Sequence, residues 1–518
     1  MGNAVLDSHQ NGRRFPRRAL LAGTLLIIAI LAVVHHRRPH QQNIPRFQVP
    51  SIDRVASNSA GVAAKTVIPS GQLMTLDPTR KFLINSKTSK PVFITGDDAW
   101  SLEVQLSDAD VQHYLADREA RGFNAIWVGL ADNTYSNRPP KDFYGNVPFN
   151  GADFTNENPA YWKRVDQTLS WAAARGITVL ASPAFVGYGC RHGYCESYRK
   201  SSTDLLAAYG KFLGDRYKEF SNIIWLIGGD ADPADADVQA KLYALANGIK
   251  SADGVHLMTT ENYRGASSED VWSGSPWLDL DALYLKPFDI PAKAIADYQA
   301  GDYPVFMMED WYEGENSMTE LDVRKEGYWA VLSGCTLGRL FGNYTIWNFN
   351  WPQAPSEPWK RQLGSVGSVG QSILGKLFRS REHWLLVPDS QHTAMTAGYD
   401  SRPSLDLAKE HLRSMVYQLP FRTGGDLSVA ARTSDGQTII AYVPNGNAAT
   451  ITVDMSKISD PGSQAKCWWY NPRDGSNMLI GNFVANGAHE FTPPGAEDWV
   501  LVIDSAAANL PAPGSTDI

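Results

Sequence analysis

Eight short apolar runs alternating with amphipathic stretches, then a series of close-spaced alternating runs, predict an α/β chain. The expected architecture is a (β/α)8 TIM barrel followed by a C-terminal antiparallel β-sandwich. Barrel strands are expected at 92–96, 124–129, 177–182, 223–228, 256–260, 281–285, 304–308 and 343–348. Each run is bounded by Gly, Pro or polar residues and enriched in β-branched or aromatic side chains, as buried strands are. Eight strands alternating with helices over about 300 residues exceed what a doubly wound sheet usually carries.

Before the barrel, Arg13, Arg14, Arg17 and Arg18 precede an uncharged, mostly apolar segment at 19–34, and Arg37 and Arg38 follow it. This pattern predicts a cytoplasmic tail and signal anchor over 1–38, contacting the membrane through the apolar segment. The body of the chain is then exported, either anchored or secreted after cleavage. Residues 39–75 carry Pro, Gln, Asn, Ser and Ala with little periodicity and read as a stalk. The barrel is expected over 76–379. Within it, Ser107 is placed to cap a helix at 108–121, stopped by Gly122. Asn158 caps the next helix, Pro159 takes its first position and Gly176 ends it. Trp162, Val165 and Leu169 give that helix one apolar stripe.

After residue 380 the texture changes. TIIAYVPNG, ATITVDM, AKCWWYNPRDG and DWVLVID are short runs separated by Asn-Gly, Asp-Gly and Pro-Pro turns, which predicts the sandwich over 380–506. Residues 507–518 read as a disordered tail.

Net charge of −8 and a pI near 5.8 argue against nucleic acid as the main partner. Cys190 and Cys195 lie close enough in sequence for a loop-closing disulfide, which export would permit. Cys335 and Cys467 read as buried thiols. A zinc site at Cys190, His192 and Cys195 lacks a fourth ligand, and no metal or organic cofactor is implied.

The chemistry is carried by two strand ends. IIWLIGGDADP delivers Asp230 after the fourth strand, and PVFMMEDWYEGE delivers Glu309 at the end of the seventh. Barrel sites form at the C-terminal ends of strands, so these two carboxylates can face one cleft. Glycoside hydrolysis needs such a pair: one carboxyl protonates the leaving oxygen and the other attacks the anomeric carbon. Asp97 and Asp98 follow the first strand, and Glu261 and Asn262 the fifth, as further substrate-binding candidates. Tyr284, near the end of the sixth strand, is another substrate-binding candidate, and Tyr312 is placed to orient the nucleophile through its hydroxyl. Trp100, Trp311, Trp347 and Trp351 sit at strand ends where a sugar ring can stack. Residues 370–376 mimic a phosphate loop, but Leu377 stands where Ser or Thr is required.

With these residues in place, a family resemblance is visible. The segment KFLINSKTSKPVFITGDDAWSLEVQLSDADVQHYLADREARGFNAIWV resembles the opening of the apiosidase-like glycoside hydrolases. IIWLIGGDADP, SPWLDLDALY, PVFMMEDWYEGE and YWAVLSGCTLGRLFGNYTIWNF continue the likeness over roughly 75–375. The resemblance implies a retaining hydrolase of plant or microbial polysaccharide, with Asp230 as acid/base and Glu309 as nucleophile. It also implies a C-terminal domain of the collagen-binding type. Thr260-Glu261-Asn262, Tyr284-Leu285-Lys286-Pro287, Met308 and Asp310 depart from the family pattern. Those departures motivate the alternative reading, a non-catalytic carbohydrate-binding or wall-attachment protein on a degenerate barrel.

Overall fold

The computed structural model of the protein describes residues 73–349, 358–399, 427–446, 450–460 and 462–518. The expected signal anchor and nearly all of the stalk lie outside these residues. Among the described residues, no helix is long and apolar enough to cross a membrane.

Eight parallel strands form the barrel: Ile94–Asp98, Ala125–Gly129, Thr178–Ser182, Ile223–Ala231, Met258–Asn262, Asp281–Tyr284, Val305–Glu309 and Gly338–Phe341. They are counted here as the first to the eighth, and their lateral order is 5-4-3-2-1-8-7-6. The fifth and sixth strands meet at a seam held largely by side chains. Ser268 Oγ donates to Thr260 O at 2.8 Å and accepts from Ala282 N at 3.2 Å, while Thr259 Oγ1 donates to Leu280 O at 2.9 Å. One serine hydroxyl thus stands in for part of the missing ladder.

The helix signals operate as expected. Ser107 accepts from Asp110 N ahead of the helix Asp108–Ala120, and Asn158 accepts from Ala160 N ahead of Pro159–Ala174. Gly122 and Gly176 follow with φ of 77° and 66°, values that favour glycine.

The eighth strand corrects the sequence reading. Residues 343–348 form a turn, because Asn343 Oδ1 accepts from Thr345 N and Ile346 N and curls the chain. The strand itself is Gly338–Phe341, where Gly338 and Arg339 disguise the apolar pattern. Arg339 is buried there because Asp310 and Glu326 pair with it. The phosphate-loop mimic lies inside the helix Val366–Arg379.

The barrel interior is filled by Ile94, Leu180, Ile224, Phe306, Met308 and Leu340, joined by Met74 and Leu83 from a preceding three-stranded sheet. The C-terminal strands form a six-stranded antiparallel sheet facing a three-stranded one. The central strand Thr438–Val443 is buried at every position because both its faces are covered. Ile439, Ala441 and Val443 face the smaller sheet. Ile440 and Tyr442 instead join a core shared with the barrel helices, including Tyr328, Trp329, Leu374 and Phe378. Tyr328 and Tyr442 stack with ring centroids 4.6 Å apart, and Arg381 pairs with Asp504 at 2.7 Å in full burial. The two parts therefore share one core.

The last residues also differ from expectation. Instead of a disordered tail, 507–518 run back against the barrel: Gly514 N donates to Ser380 Oγ, Arg381 to Pro511 O, and Ile518 N to Arg379 O.

Candidate active site

Four strand ends bring a carboxylate to one cleft of about 270 Å³: Asp98 from the first, Asp230 from the fourth, Glu261 from the fifth and Glu309 from the seventh. Asp98 and Glu261 come in on the regular register of their strands, and Asp230 and Glu309 on irregularities of theirs.

Asp230 is extruded by a bulge. The ladder between the fourth and fifth strands pairs Gly228 with Glu261 and Ala231 with Asn262, leaving two residues of the fourth strand unpaired. Gly228, Gly229 and Asp230 all have positive φ, at 111°, 92° and 54°. A Cβ on Gly228 would collide with the Glu261 carbonyl oxygen, and one on Gly229 would lie 2.6 Å from the Phe185 ring. Only glycine fits before Asp230, which itself holds a left-handed conformation uncommon for a side-chain-bearing residue. Glu309 is re-aimed by a smaller irregularity. Met307 pairs with Leu283 and Glu309 with Tyr284, so Met308 is the extra residue.

The electrostatics follow from burial. Desolvation raises the Asp230 carboxyl to about 6, against the opposing pull of the Arg264 guanidinium. Burial also lifts Asp98, to about 7, although the Tyr312 hydroxyl donates to it and favours its charged form. Glu309 and Glu261 are both held well above the usual carboxylate range, first by burial and then by neighbouring negative charge. The Glu309 charge raises Glu261 further, so the two neighbouring carboxyls resist ionising together. The Tyr312 hydroxyl lies near Glu309 as well, but its one proton is donated to Asp98. Gly342 makes room for that tyrosine, since a Cβ there would fall on its ring.

The remaining wall is aromatic. Trp100 stands edge-on to Trp127 and Phe185 at 5.0 and 4.9 Å, and Tyr135 edge-on to Trp347 at 4.9 Å. The indole N–H groups of Trp127 and Trp347 are buried and have no partner among the described residues. A concave site with flat rings, stray donors and clustered carboxyls suits a sugar and acid/base chemistry on it.

Residues 77–385, more than half of the sequence, match the model described as the apiosidase-like catalytic domain. The chain belongs to the apiosidase-like family. Residues 418–504 of this apiosidase-like chain match a collagen-binding-type domain of a collagenase. A solved structure named glycoside hydrolase shares 26% identity and a TM-score of 0.70, covering 86% of this chain and 99% of that one. A family 5 glycoside hydrolase from Bacteroides vulgatus shares 23% identity at the same TM-score, covering 84% and 94%. No curated protein matches the chain. The family match and the first neighbour make the protein a glycoside hydrolase, and the second likeness bears on the fold.

The structure sorts the candidates of this apiosidase-like enzyme. Asp98, Trp100, Asp230, Glu261, Glu309, Tyr312 and Trp347 line the cleft. Asp97 does not, and its assignment to substrate is corrected. The first strand ends at Asp98 rather than at 96, so Asp97 and Asp98 alternate across the sheet. Asp97 faces the helix layer, accepting from Tyr114 at 2.7 Å and pairing with Arg118 at 3.1 Å. Asn262 is likewise turned away, bonded to Trp272, Thr260 and Ser267. Trp311 is buried outside the lining, with its backbone N–H on Glu326. Tyr284 stands behind Arg264, whose guanidinium donates to its hydroxyl at 2.7 Å. Trp351 lies outside the described residues. Glu313 stands outside the lining, bonded to Asn343 and to Gly367 N.

Arg264, Trp127, Tyr135, Phe185, Glu315 and Tyr344 also line the cleft and were missed. Trp127 had a usable signal, its inward register in the second strand. The others sit on loops or, for Tyr344, in the run misread as a strand.

Cys190 and Cys195 are disulfide-bonded beside the cleft, which removes them as metal ligands.

Proposed function

We propose that this glycoside hydrolase acts on a plant or microbial polysaccharide with retention, Glu309 attacking the anomeric carbon and Asp230 acting as acid and then base. The observation that carries this reading is the delivery of both carboxyls, by bulged ends of the fourth and seventh strands, into one aromatic-walled cleft.

The roles follow from the environments. Asp230, with its carboxyl raised to about 6, keeps its proton in mildly acidic solution and can give it to the leaving oxygen. Glu309 has the Arg264 charge favouring its ionised form, and Glu261 beside it to hold a proton. The first ionisation of that pair arms Glu309 while Glu261 stays neutral. After attack, Asp230 is the carboxylate that takes a proton from water, and the covalent ester on Glu309 is released.

The direct test is to incubate the described body with polysaccharides containing pentosides and hexosides and to analyse the released sugars. Release that is lost in Glu309→Gln supports the reading, and no release from any of them contradicts it. A pH prediction accompanies it. On an unactivated glycoside, kcat/KM should fall above about pH 6 as Asp230 loses its proton. In Asp230→Asn, assayed on a glycosyl fluoride that needs no acid, that limb should vanish. A limb of unchanged position in the variant would assign it to another group.

A further inference from the structure

We propose that Tyr188 and Tyr263 form a second carbohydrate surface, which receives a sugar ring of the leaving group beside Asp230. The inference rests on Asp230 being the acid.

Tyr188 opens the short turn Tyr188–Cys190 after the third strand, and its side chain is 42% exposed. Tyr263 immediately follows the fifth strand. The two rings stack at 5.0 Å with 30° between their planes, and their hydroxyls are 2.6 Å apart. Stacked tyrosines left in water offer a flat apolar face and a polar edge, the pairing a pyranose or furanose ring matches with its C–H face and hydroxyls.

Their position is set by the acid's own bulge. Gly187 N donates to Gly229 O at 3.0 Å, and Tyr263 N donates to Ala231 O at 2.8 Å. These two backbone links fall on either side of Asp230, so both tyrosines are tied to the segment that aims its carboxyl. The charge of Asp230 also acts on the Tyr263 hydroxyl. A general acid stands next to the oxygen it protonates, and the group leaving on that oxygen departs past the acid, away from the nucleophile. The tyrosine pair occupies that exit.

The surface is also held still. The Cys190–Cys195 bond closes the loop behind Tyr188, and Cys195 N donates to Val186 O at 2.9 Å. Gly187 (φ 100°) packs so closely on the His192 carbonyl that no Cβ would fit. A rigid aromatic surface loses little entropy when a ring settles on it.

The test uses the full chain carrying Glu309→Gln, so that binding is read without turnover. Its mobility is compared with and without Tyr188→Ala/Tyr263→Ala in native gels cast with pectin, arabinoxylan or galactomannan. The parent should be retarded in at least one gel. The alanine pair should weaken apparent affinity there at least fivefold, with unchanged mobility in a polysaccharide-free gel. Tyr188→Phe/Tyr263→Phe, which keeps both rings, should lose less than twofold. Equal retardation of parent and alanine variant, or no retardation of the parent in any gel, overturns the proposal.

With Glu309 intact, kcat/KM on the retarding polysaccharide is divided by that on the glycosyl fluoride of its released sugar. That ratio should fall at least tenfold in the alanine pair, and an unchanged ratio overturns placement on the leaving-group side. Retardation that needs the tyrosines without any sugar release would uphold the surface and remove the hydrolytic reading.

Discussion

Glu309→Gln is expected to lower kcat/KM by about 10⁴-fold or more, because an amide cannot form the glycosyl ester that divides the reaction into two steps. Asp230→Asn is expected to lose about 10²- to 10⁴-fold on an unactivated glycoside, the range of a lost general acid. The two losses should also differ in kind. Asp230→Asn should keep most of its kcat/KM on a glycosyl fluoride, which needs no acid in the first step, whereas Glu309→Gln should lose activity on both substrates. Neither change removes a core contact: both carboxyls face the cleft, and the strands beneath them are held by their ladders. Steady-state kinetics on both substrates, with circular dichroism to confirm folding, checks the pattern. Equal losses on the fluoride would show that the roles are misassigned.

The second large effect lies behind the nucleophile. Arg339 is almost fully buried and holds Asp310 at 2.6 Å and Glu326 at 3.3 Å. Glu326 in turn accepts from Trp311 N, so the network braces the chain just past Glu309. Arg339→Met keeps much of the volume but strands a buried carboxylate, which should cost about 3–5 kcal/mol. The cost should depend on pH. Burial already raises Asp310 and Glu326, and without the guanidinium their folded-state values rise further above those of the unfolded chain. A folded state that binds more protons is favoured at low pH, so the deficit should be small near pH 4 and grow toward neutrality. Urea denaturation of both proteins at several pH values measures it. A deficit independent of pH would mean that lost packing, and not stranded charge, is the cause.

Much of this was readable in the residues, and the failures have physical causes. Apolar runs located seven strands but ended the first and fifth two residues early. Their last residues are polar on both faces: Asp98 and Glu261 reach the cleft, while Asp97 and Asn262 are bonded to groups behind it. Hydrophobicity marks where a barrel strand is buried in packing and says little about where it meets its site. The same offset hid which of Asp97 and Asp98 points inward, a question that strand alternation answers once the register is known. The eighth strand failed because its buried arginine is apolar only in partnership with Asp310 and Glu326, which are distant in sequence. Gly228-Gly229 did announce something unusual before Asp230, and the bulge supplies the reason. Arg264 and Tyr135 come from loops without periodicity, where no pattern marks a residue that folding will bring to the centre. The C-terminal residues looked disordered because their contacts are backbone bonds to the barrel, which composition cannot reveal.

The central claim, that Glu309 becomes the covalently bonded carboxylate, is tested most directly by trapping. A 2-deoxy-2-fluoro glycoside of the released sugar, carrying a fluoride leaving group, slows turnover of the glycosyl ester, and peptide mass mapping locates it. The account predicts one added sugar on the peptide containing Glu309, and none when Glu309 is Gln. An adduct on Glu261, or rapid turnover to product of inverted configuration with no adduct, would contradict it.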